Sequence, residues 1–348
     1  MEILVVGDYF MSGAIFKEHL SATLTGIDTD LKIRTIEWEF DLKSVPLASD
    51  PSIREYAGSD EELLPLVQNS DALLVHFAPV TSGMIQSARI LKIIGCARGG
   101  PVNINVQAAT RRRIPVLFTP GRNADAVADY TLGMILAETR NIARADASLK
   151  QGAWRADFYR YDLSGPELSG KTLGLVGIGS VGAKVCARAR AFGMTVLAYD
   201  PYVPAENVRS LGAEKVELDT LLERSDFVSA HARLTFETRK LIGAKQLSLM
   251  KPTAYLVNTS RGQLVDENAL VEALVQKRVA GAALDVFENE PLDPRSPLLR
   301  LPNVTVTPHI AGASKDVAHR AAQMLADDIK RILLKEKPVF CANPTVLA

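Results

Sequence analysis

Short apolar runs alternate with amphipathic stretches along nearly the whole chain, a pattern typical of parallel strands joined by helices. In the first third, five runs predict strands: EILVVG, LKIRTIEW, ALLVHF, LKIIGC and PVLFT. A second, more regular series predicts six more: KTLGLVGIG, MTVLAYD, DFVSAHA, TAYLVNTS, GAALDVF and NVTVTPHI. The pattern predicts an α/β fold with two doubly wound parallel-sheet domains, of which the first is flavodoxin-like and the second has Rossmann topology.

Two helical stretches define the predicted domain boundaries. The segment NADAVADYTLGMILAETRNIARADASLKQG begins after Arg122 and predicts one long helix. The segment ASKDVAHRAAQMLADDIKRILLKEK predicts a further helix after the last strand. If that helix packs on the N-terminal series, the chain crosses the boundary twice. The predicted domains are then residues 1–122 with 311–348, and residues 123–310.

A glycine-rich run, LGLVGIGSVG, lies between a predicted strand and an Ala-rich helical stretch. Gly177, Gly179 and Gly182 fit the pattern GxGxxG. In this pattern the first glycine permits a tight turn, the second lets the backbone approach a pyrophosphate, and the third lets the helix pack on its strand. Ser180 and Val181 open the helix, whose N-terminus offers free N–H groups to phosphates. The run therefore predicts a dinucleotide site at these five residues.

Asp200 ends the next apolar run, TVLAYD, and indicates which dinucleotide binds. An acid about 20 residues after the glycines accepts hydrogen bonds from the ribose hydroxyls of the adenosine half. The same carboxylate repels a 2′-phosphate, and the next residues are Pro201 and Tyr202 rather than arginine or lysine. The expected cofactor is NAD rather than NADP, with Asp200 and Pro201 at its adenosine end.

Composition narrows the class of protein. The 348 residues include 40 basic and 40 acidic side chains, so neither nucleic acid nor a membrane surface is expected as a partner. The N-terminus enters a strand pattern directly, without the basic and apolar segments of a signal peptide. Cys96, Cys186 and Cys341 are too few and too scattered for a disulfide framework or a zinc site. We expect a cytoplasmic protein without a metal site.

Three residues of the second series are candidates for chemistry: Arg261 in VNTSRG, Glu290 in LDVFENEP and His309 in VTPHIAG. Each follows a predicted strand, and ligands of open α/β sheets bind at the carboxyl ends of the strands. Histidine exchanges protons near neutral pH, and a carboxylate bonded to its far nitrogen fixes its tautomer. An arginine fork binds a carboxylate and polarises a carbonyl. The set suits hydride exchange between NAD and a 2-hydroxy acid.

Each of these residues also has a plainer interpretation when it is taken alone. Arg261 fits a surface ion pair, Glu290 fits a solvated loop, and His309 fits a histidine bonded to backbone at a strand end. The shared position at strand ends favours the catalytic interpretation of the set.

These residues resemble those of the D-isomer-specific 2-hydroxyacid dehydrogenases, in the phosphoglycerate dehydrogenase-like branch. The resemblance extends over roughly residues 70 to 335. It is carried by the stretch LKIIGCARGGPVNINVQAATRRRIPVLFTPGRNADAVAD, the block HARLTFETRKLIGAKQLSLMKPTAYLVNTSRGQLVDENAL, and the motifs GAALDVFENEP and TPHIAGAS. It implies that Arg261, Glu290 and His309 match the catalytic arginine, glutamate and histidine of the family.

The resemblance has further implications for the two domains. It implies a substrate domain formed by the first series and an NAD-binding domain formed by the second, with a homodimer built through the latter. It places Asp285 against the nicotinamide carboxamide, Thr259 along the nicotinamide side, and His231, in HARLT, among the cofactor-binding residues. Backbone amides around Gly99 and Gly100 are implied to bind the substrate carboxylate.

Two departures from the family pattern affect the substrate. Arg98 replaces a glycine in the loop GCARGGPVNIN and brings a cation beside the expected carboxylate cradle. It fits either a second anionic group of the substrate or a structural ion pair. His76, in ALLVHFAPVT, falls where phosphoglycerate-specific relatives carry an arginine, which weakens that assignment unless Arg98 or a protonated His76 compensates.

The sequence thus predicts an NAD-dependent enzyme that transfers hydride between NAD(H) and a D-2-hydroxy or 2-oxo acid, with a phosphorylated or otherwise dianionic sugar acid among the candidates. The alternative is an NADH-responsive binding protein, similar to the co-repressors that share this fold, since fold alone does not decide function.

Overall fold

The chain forms two compact units, each built on a parallel β-sheet. A computed structural model describes residues 1–38 and 50–347. The first unit comprises Met1–Asn123 and Ala313–Ala348, and the second unit comprises Ala124–Gly312. The predicted α/β class with two doubly wound parallel-sheet domains is confirmed. It stays a prediction that the substrate binds to residues 1–122 with 311–348 and that NAD binds to residues 123–310.

The first unit contains a five-stranded sheet in the order β2-β1-β3-β4-β5, with parallel pairing throughout the described strands. This is the flavodoxin-like order. Its strands are β1 (Glu2–Asp8), β2 (Lys32–Trp38), β3 (Ala72–Val75), β4 (Ile93–Cys96) and β5 (Val116–Phe118). Its helices are α1 (Gly13–Leu24), α2 (Asp60–Val67), α3 (Ser82–Ser87), α4 (Val106–Arg111) and α12 (Lys315–Leu333), with a 3-10 turn at Pro344–Leu347.

Helix α12 belongs to the first unit, although it follows the whole second unit in the chain. Its buried face carries small and branched side chains at helical spacing, including Ala318, Ala322, Leu325 and Ile329. These side chains pack in one core with α1 and with the inner residues of β1. Within residues 1–38 and 50–347, no helix combines the length and the apolar character that crossing a membrane requires.

The second unit contains a seven-stranded sheet in the order β12-β11-β10-β9-β6-β7-β8, again with parallel pairing in the described strands. The strands are added to one side of β6 up to β8 and to its other side from β9 onward, so the point between β6 and β9 is the Rossmann switch point. Its strands are β6 (Thr172–Val176), β7 (Thr195–Tyr199), β8 (Glu214–Lys215), β9 (Phe227–Ala230), β10 (Tyr255–Asn258), β11 (Gly281–Leu284) and β12 (Val304–Val306). Its helices are α5 (Ala124–Thr139), α6 (Ile142–Lys150), α7 (Ser180–Ala191), α8 (Ala205–Ser210), α9 (Leu218–Arg224), α10 (Ala244–Leu249) and α11 (Glu267–Val275), with 3-10 turns at Ala156–Tyr159, Gly262–Leu264 and Pro297–Arg300.

The prediction of one long helix after Arg122 is wrong, because the segment forms the two helices α5 and α6. Asn141 separates them in the left-handed conformation, with φ of 55°. Asparagine adopts this conformation more readily than most residues, and its side-chain amide donates to the Leu163 carbonyl at 2.8 Å. The backbone at Gly165 lies so close to Thr139 that a Cβ there would fall 1.8 Å from the Thr139 oxygen. The following segment therefore folds back over the end of α5.

Candidate active site

The glycine-rich loop joins β6 to α7 with the geometry that dinucleotide binding requires. Gly177 has φ of +97°, and a Cβ there would lie 2.7 Å from the Ala232 nitrogen. A Cβ on Gly182 would lie 2.4 Å from the Gly177 oxygen, so the first turn of α7 packs directly on the loop. A Cβ on Gly179, by contrast, would have no atom of the described residues within 4 Å. Space therefore remains for a ligand at the start of α7, where Ser180 and Val181 follow.

Asp200 lies just beyond β7, on the strand next to the glycine loop. One carboxylate oxygen accepts from the Ile178 N–H at 3.0 Å, and the other accepts from Tyr202 at 3.0 Å and Val203 at 3.2 Å. These three bonds fix the carboxylate against the loop and leave about one lone pair for a further donor, because an ionised carboxylate accepts about four hydrogen bonds. Pro201 lies exposed beside it.

His231 follows β9, and its backbone packs against Gly177. Its Nε2 atom lies 2.9 Å from the Ser229 hydroxyl, while Nδ1 is buried and finds no hydrogen-bond partner among the described residues. Burial lowers the pKa of His231 to about 4, so the ring is neutral at pH 7. A buried polar atom without a partner is costly, and one beside the glycine loop fits a site that gains a partner when its ligand binds. The loop and His231 together fit NAD.

His309 and Glu290 form a hydrogen-bonded pair, with 2.7 Å between Nδ1 of the histidine and Oε2 of the glutamate. A carboxylate only accepts, so Nδ1 carries the proton and Nε2 is left for another partner. Burial alone raises the pKa of Glu290, but the His309 bond and charge, the Phe287 N–H and the Arg261 guanidinium together lower it below its ordinary value. Glu290 is therefore ionised at neutral pH. The His309 side chain is 45% exposed and accessible to a small molecule.

The loop that carries His309 is held by Asp285, which is fully buried at the end of β11. One Asp285 oxygen accepts from the Thr307 hydroxyl at 2.6 Å and the Ile310 N–H at 2.9 Å, and the other accepts from the Ala311 N–H at 2.8 Å. His309 itself has φ of 55° and donates its N–H to the Asp285 carbonyl at 2.8 Å. Asp285 thus positions the histidine, a role that the sequence did not predict, and its contact with the nicotinamide stays a prediction.

Arg261 and Thr259 follow β10 at the same edge of the sheet. Asn258 fixes the turn by donating to the Arg261 carbonyl at 2.9 Å. The exposed guanidinium donates to the Ser260 carbonyl at 2.7 Å and is close enough to lower the pKa of Glu290. The Thr259 hydroxyl pairs with that of Thr131 on α5 at 2.8 Å. The second unit therefore brings Arg261, Glu290 and His309 to the edge that also carries the glycine loop.

The predicted substrate residues lie in the first unit, after strands β3 and β4. The backbone at Gly99 and Gly100 is unobstructed, since a Cβ on either would have no atom of the described residues within 4 Å. Arg98 donates to the Glu55 carboxylate at 2.6 Å, and its guanidinium lies 5.0 Å from the centre of the Phe77 ring. Of the two interpretations of Arg98 that the sequence allowed, these contacts match the structural ion pair.

His76 is buried in a chain of polar contacts. Its Nδ1 lies 2.8 Å from an Asp8 oxygen, and its Nε2 lies 3.1 Å from the Arg122 guanidinium. Arginine only donates, so Nε2 accepts and the ring is neutral; burial lowers the pKa of His76 despite Asp8. Sequence reasoning missed Asp8 and Arg122. Their positions in the sequence could have indicated them, because Asp8 is the last residue of β1 and Arg122 follows β5, at the sheet edge that carries His76.

The fold and the glycine loop define a dinucleotide-binding protein, and comparison with known proteins identifies its family. The family model described as "D-isomer specific 2-hydroxyacid dehydrogenase, NAD binding domain" matches residues 132–311. The chain belongs to the D-isomer-specific 2-hydroxyacid dehydrogenase family, as the motifs predicted. The predicted cofactor, NAD, is confirmed as well.

Individual relatives support the same family. A D-3-phosphoglycerate dehydrogenase of Methanocaldococcus jannaschii is 44% identical over 279 residues, which cover 79% of this chain and 52% of the relative. The chain therefore spans about half the length of that relative. A glyoxylate reductase of Thermofilum pendens is 43% identical over 297 residues, covering 84% of this chain and 87% of the relative. A crystal structure of a Thermus thermophilus protein is 33% identical, with a TM-score of 0.79 over 98% of this chain and all of that one.

Proposed function

We propose that this protein is an NAD-dependent dehydrogenase that interconverts a D-2-hydroxy acid and the matching 2-oxo acid. The hydrogen bond between His309 and Glu290, on the sheet edge that carries the glycine loop, is the observation that carries the proposal. NAD supplies the hydride acceptor or, when reduced, the hydride donor. The proton that moves in the opposite sense needs a group beside the substrate oxygen, and His309 offers Nε2 for it.

The three catalytic candidates have distinct roles in this proposal. His309 Nε2 takes the hydroxyl proton during oxidation and returns it to the carbonyl oxygen during reduction. Glu290 holds the Nδ1 proton and keeps Nε2 pointed away from itself. The Arg261 guanidinium binds the substrate carboxylate and draws charge toward the reacting oxygen. Backbone N–H groups at Gly99 and Gly100 are further donors for the carboxylate.

The cofactor contacts follow from the loop and the neighbouring strand ends. The backbone from Gly177 to Gly182 binds the pyrophosphate, including the N–H groups of Ser180 and Val181 at the start of α7. Asp200 and Pro201 border the adenosine ribose, and His231, Thr259 and Asp285 lie toward the nicotinamide. The buried Nδ1 of His231 and the open space at Gly179 support this assignment.

Removing the charge of Asp200 should weaken the preference for NAD over NADP. In Asp200→Asn, we expect the ratio of kcat/KM for the two cofactors to fall by about tenfold or more, because the repulsion of the 2′-phosphate is lost while one acceptor oxygen is kept. Asp219→Asn, an equal charge change on α9, should leave the ratio within about twofold. Steady-state kinetics with both cofactors measure it, and an unchanged ratio in Asp200→Asn rules out this role for Asp200.

The contacts in the first unit favour a short acid with one carboxylate. Arg98 is already paired with Glu55, and His76 is buried and neutral, so neither side chain is free to bind a second anion. This favours glyoxylate or hydroxypyruvate over 3-phosphoglycerate and over dianionic sugar acids. The contacts of the described residues give no support to the alternative of an NADH-responsive co-repressor-like protein, and we do not propose it.

A panel of 2-oxo acids tests the proposed function through the oxidation of NADH. We expect the largest kcat/KM for glyoxylate or hydroxypyruvate and a much smaller value for 3-phosphohydroxypyruvate. Equal or greater efficiency with the phosphorylated acid contradicts the substrate class. Inactivity with the whole panel, together with tight NADH binding, contradicts the enzymatic function.

We further propose that the protein is a homodimer formed through the second unit. The segment from α6 to Leu163 exposes large apolar side chains: Ile142 (55%), Leu149 (55%), Trp154 (81%), Tyr159 (96%) and Tyr161 (98%). Exposed apolar surface of this extent is typical of an interface. The double variant Trp154→Ser/Tyr161→Ser should sediment as a monomer, whereas Phe236→Ser, which removes an equally exposed ring elsewhere in the unit, should not. A monomeric wild-type protein at micromolar concentration contradicts the proposal.

A further inference from the structure

Two histidines that lie 300 residues apart in the chain face each other in the first unit. His19 on α1 and His319 on α12 have their rings 5.3 Å apart at an angle of 68°, and His19 Nε2 lies 3.0 Å from His319 Nδ1. The carboxylate of Glu18 completes the cluster, since one ligand atom from each of the three residues lies within 4.8 Å of the others. The cluster is formed by helices whose packing the core already fixes.

A second layer of hydrogen bonds selects the tautomer of His19. Gln323, one turn after His319, places its Nε2 2.9 Å from the Asp327 carboxylate and 3.1 Å from the Thr23 hydroxyl. A carboxylate only accepts, so the NH₂ group of the Gln323 amide must face it, and the amide oxygen therefore faces His19 Nδ1 at 2.8 Å. That oxygen also only accepts. His19 thus carries its proton on Nδ1 and directs the lone pair of Nε2 toward His319.

We propose that Glu18, His19 and His319 form a binding site for Zn²⁺. Two imidazole nitrogens and a carboxylate are ligands that zinc prefers, and water can complete the tetrahedron. Ligand atoms about 2.0–2.1 Å from a tetrahedral ion are about 3.3 Å apart, close to the 3.0 Å between the two ring nitrogens. The Gln323 oxygen is the kind of outer contact that orients zinc-bound histidines.

The proposed ion replaces the hydrogen bond between the two rings. Without metal, the contact between the two rings requires a hydrogen between them, and His319 Nδ1 donates it to His19 Nε2. With zinc, both lone pairs point at the ion, and the hydrogen that His319 carried on Nδ1 is on its Nε2 instead.

Zinc bound here joins α1, near the start of the first unit, to α12, which follows the second unit in the chain. A ligand that binds only the folded state raises stability in proportion to the logarithm of its free concentration above Kd. The first unit should therefore gain thermal stability from zinc but not from magnesium, which prefers oxygen ligands. This role is separate from the proposed dehydrogenase chemistry.

Competition between the purified protein and a chromophoric chelator for Zn²⁺ tests the site. We expect His319→Asn and His19→Asn to weaken zinc binding by about tenfold or more and to abolish the zinc-dependent rise in Tm. Gln323→Leu keeps all three ligands but removes the acceptor that holds the proton of His19 on Nδ1. It should therefore also weaken zinc binding by about tenfold or more. Lys17→Gln, on the exposed face of α1 beside the cluster, should bind zinc within about twofold of wild type.

Two results overturn the proposal. If His319→Asn binds zinc as the wild type does, the zinc lies elsewhere, for example at His309 and Glu290. A second overturning result is a loss of affinity in the two histidine variants but not in Gln323→Leu. The two imidazoles then bind an adventitious ion only, without a built site around them. Tm values of all variants measured in EDTA identify any loss that arises from misfolding, and Glu18→Gln provides a second ligand variant on an exposed position.

Discussion

Replacing His309 with asparagine should lower kcat by about 10²–10⁴-fold while the Kd for NADH stays within about threefold of wild type. Removing a positioned general acid–base group typically costs this much, and the second ring nitrogen of His309 is the one that Glu290 does not engage. Asparagine is small enough for the position and also favours the left-handed backbone that His309 adopts, with φ of 55°. The loop should therefore keep its shape.

Stopped-flow hydride transfer and fluorescence titration of NADH separate the chemical step from binding. Glu290→Gln serves as the companion variant, because its amide oxygen can still accept from Nδ1 while the negative charge is lost. We expect it to fall between wild type and His309→Asn in rate, with a changed pH profile. A kcat in His309→Asn within about tenfold of wild type would falsify the acid–base role.

Replacing Arg261 with glutamine should reduce kcat/KM for the 2-oxo acid by at least about 10²-fold. The loss combines two charge-assisted hydrogen bonds to the substrate with the positive charge beside its carbonyl. Most of it should appear in KM if Arg261 chiefly binds the carboxylate, and in kcat if it chiefly stabilises charge on the reacting oxygen. Binding of NADH alone should change little.

Arg224→Gln is the matched control for this variant. Arg224 is an exposed arginine at the end of α9, in an ion pair with Glu214 at 3.0 Å, and it precedes β9 at the opposite edge of the same sheet. Its loss should leave kcat/KM within about twofold. Equal effects of the two substitutions mean that Arg261 acts only through the net charge of the unit, and the proposed contact with the substrate is then wrong.

Periodicity was sufficient to predict the two sheets because most of the parallel strands are buried and have nearly continuous apolar runs; the edge strand β2, KIRTIEW, is interrupted by exposed polar residues. The eleven runs correspond to strands β1 to β7 and β9 to β12. It missed β8, whose two residues, Glu214 and Lys215, are polar and lie at the edge of the sheet. It also missed the break at Asn141, because a helical pattern continues across it and only the contact with Leu163 reveals the turn.

The rule that ligands bind at the carboxyl ends of parallel strands was sufficient to predict the candidate site, but not all of the contacts within it. It grouped Arg261, Glu290 and His309, since each follows a strand of one sheet. It did not show that Asp285 would hold the His309 loop, because that depends on three backbone and hydroxyl donors in the folded loop. The contact between His19 and His319 was equally out of reach, since it exists only once α12 packs on α1.

The position of α12 has a consequence for how the chain is made. One of the two helices that cover this face of the first sheet, α12, is missing until residues 315–333 have been synthesised, after the whole of Ala124–Gly312. At about 5–20 residues per second, the delay on the ribosome is on the order of 10–40 s. The core that contains Ile3, Val5 and Leu74 has only α1 as its helical cover during that time, and the part that α12 later fills is open to water or to chaperones. The contiguous second unit, by contrast, can fold while translation is still under way.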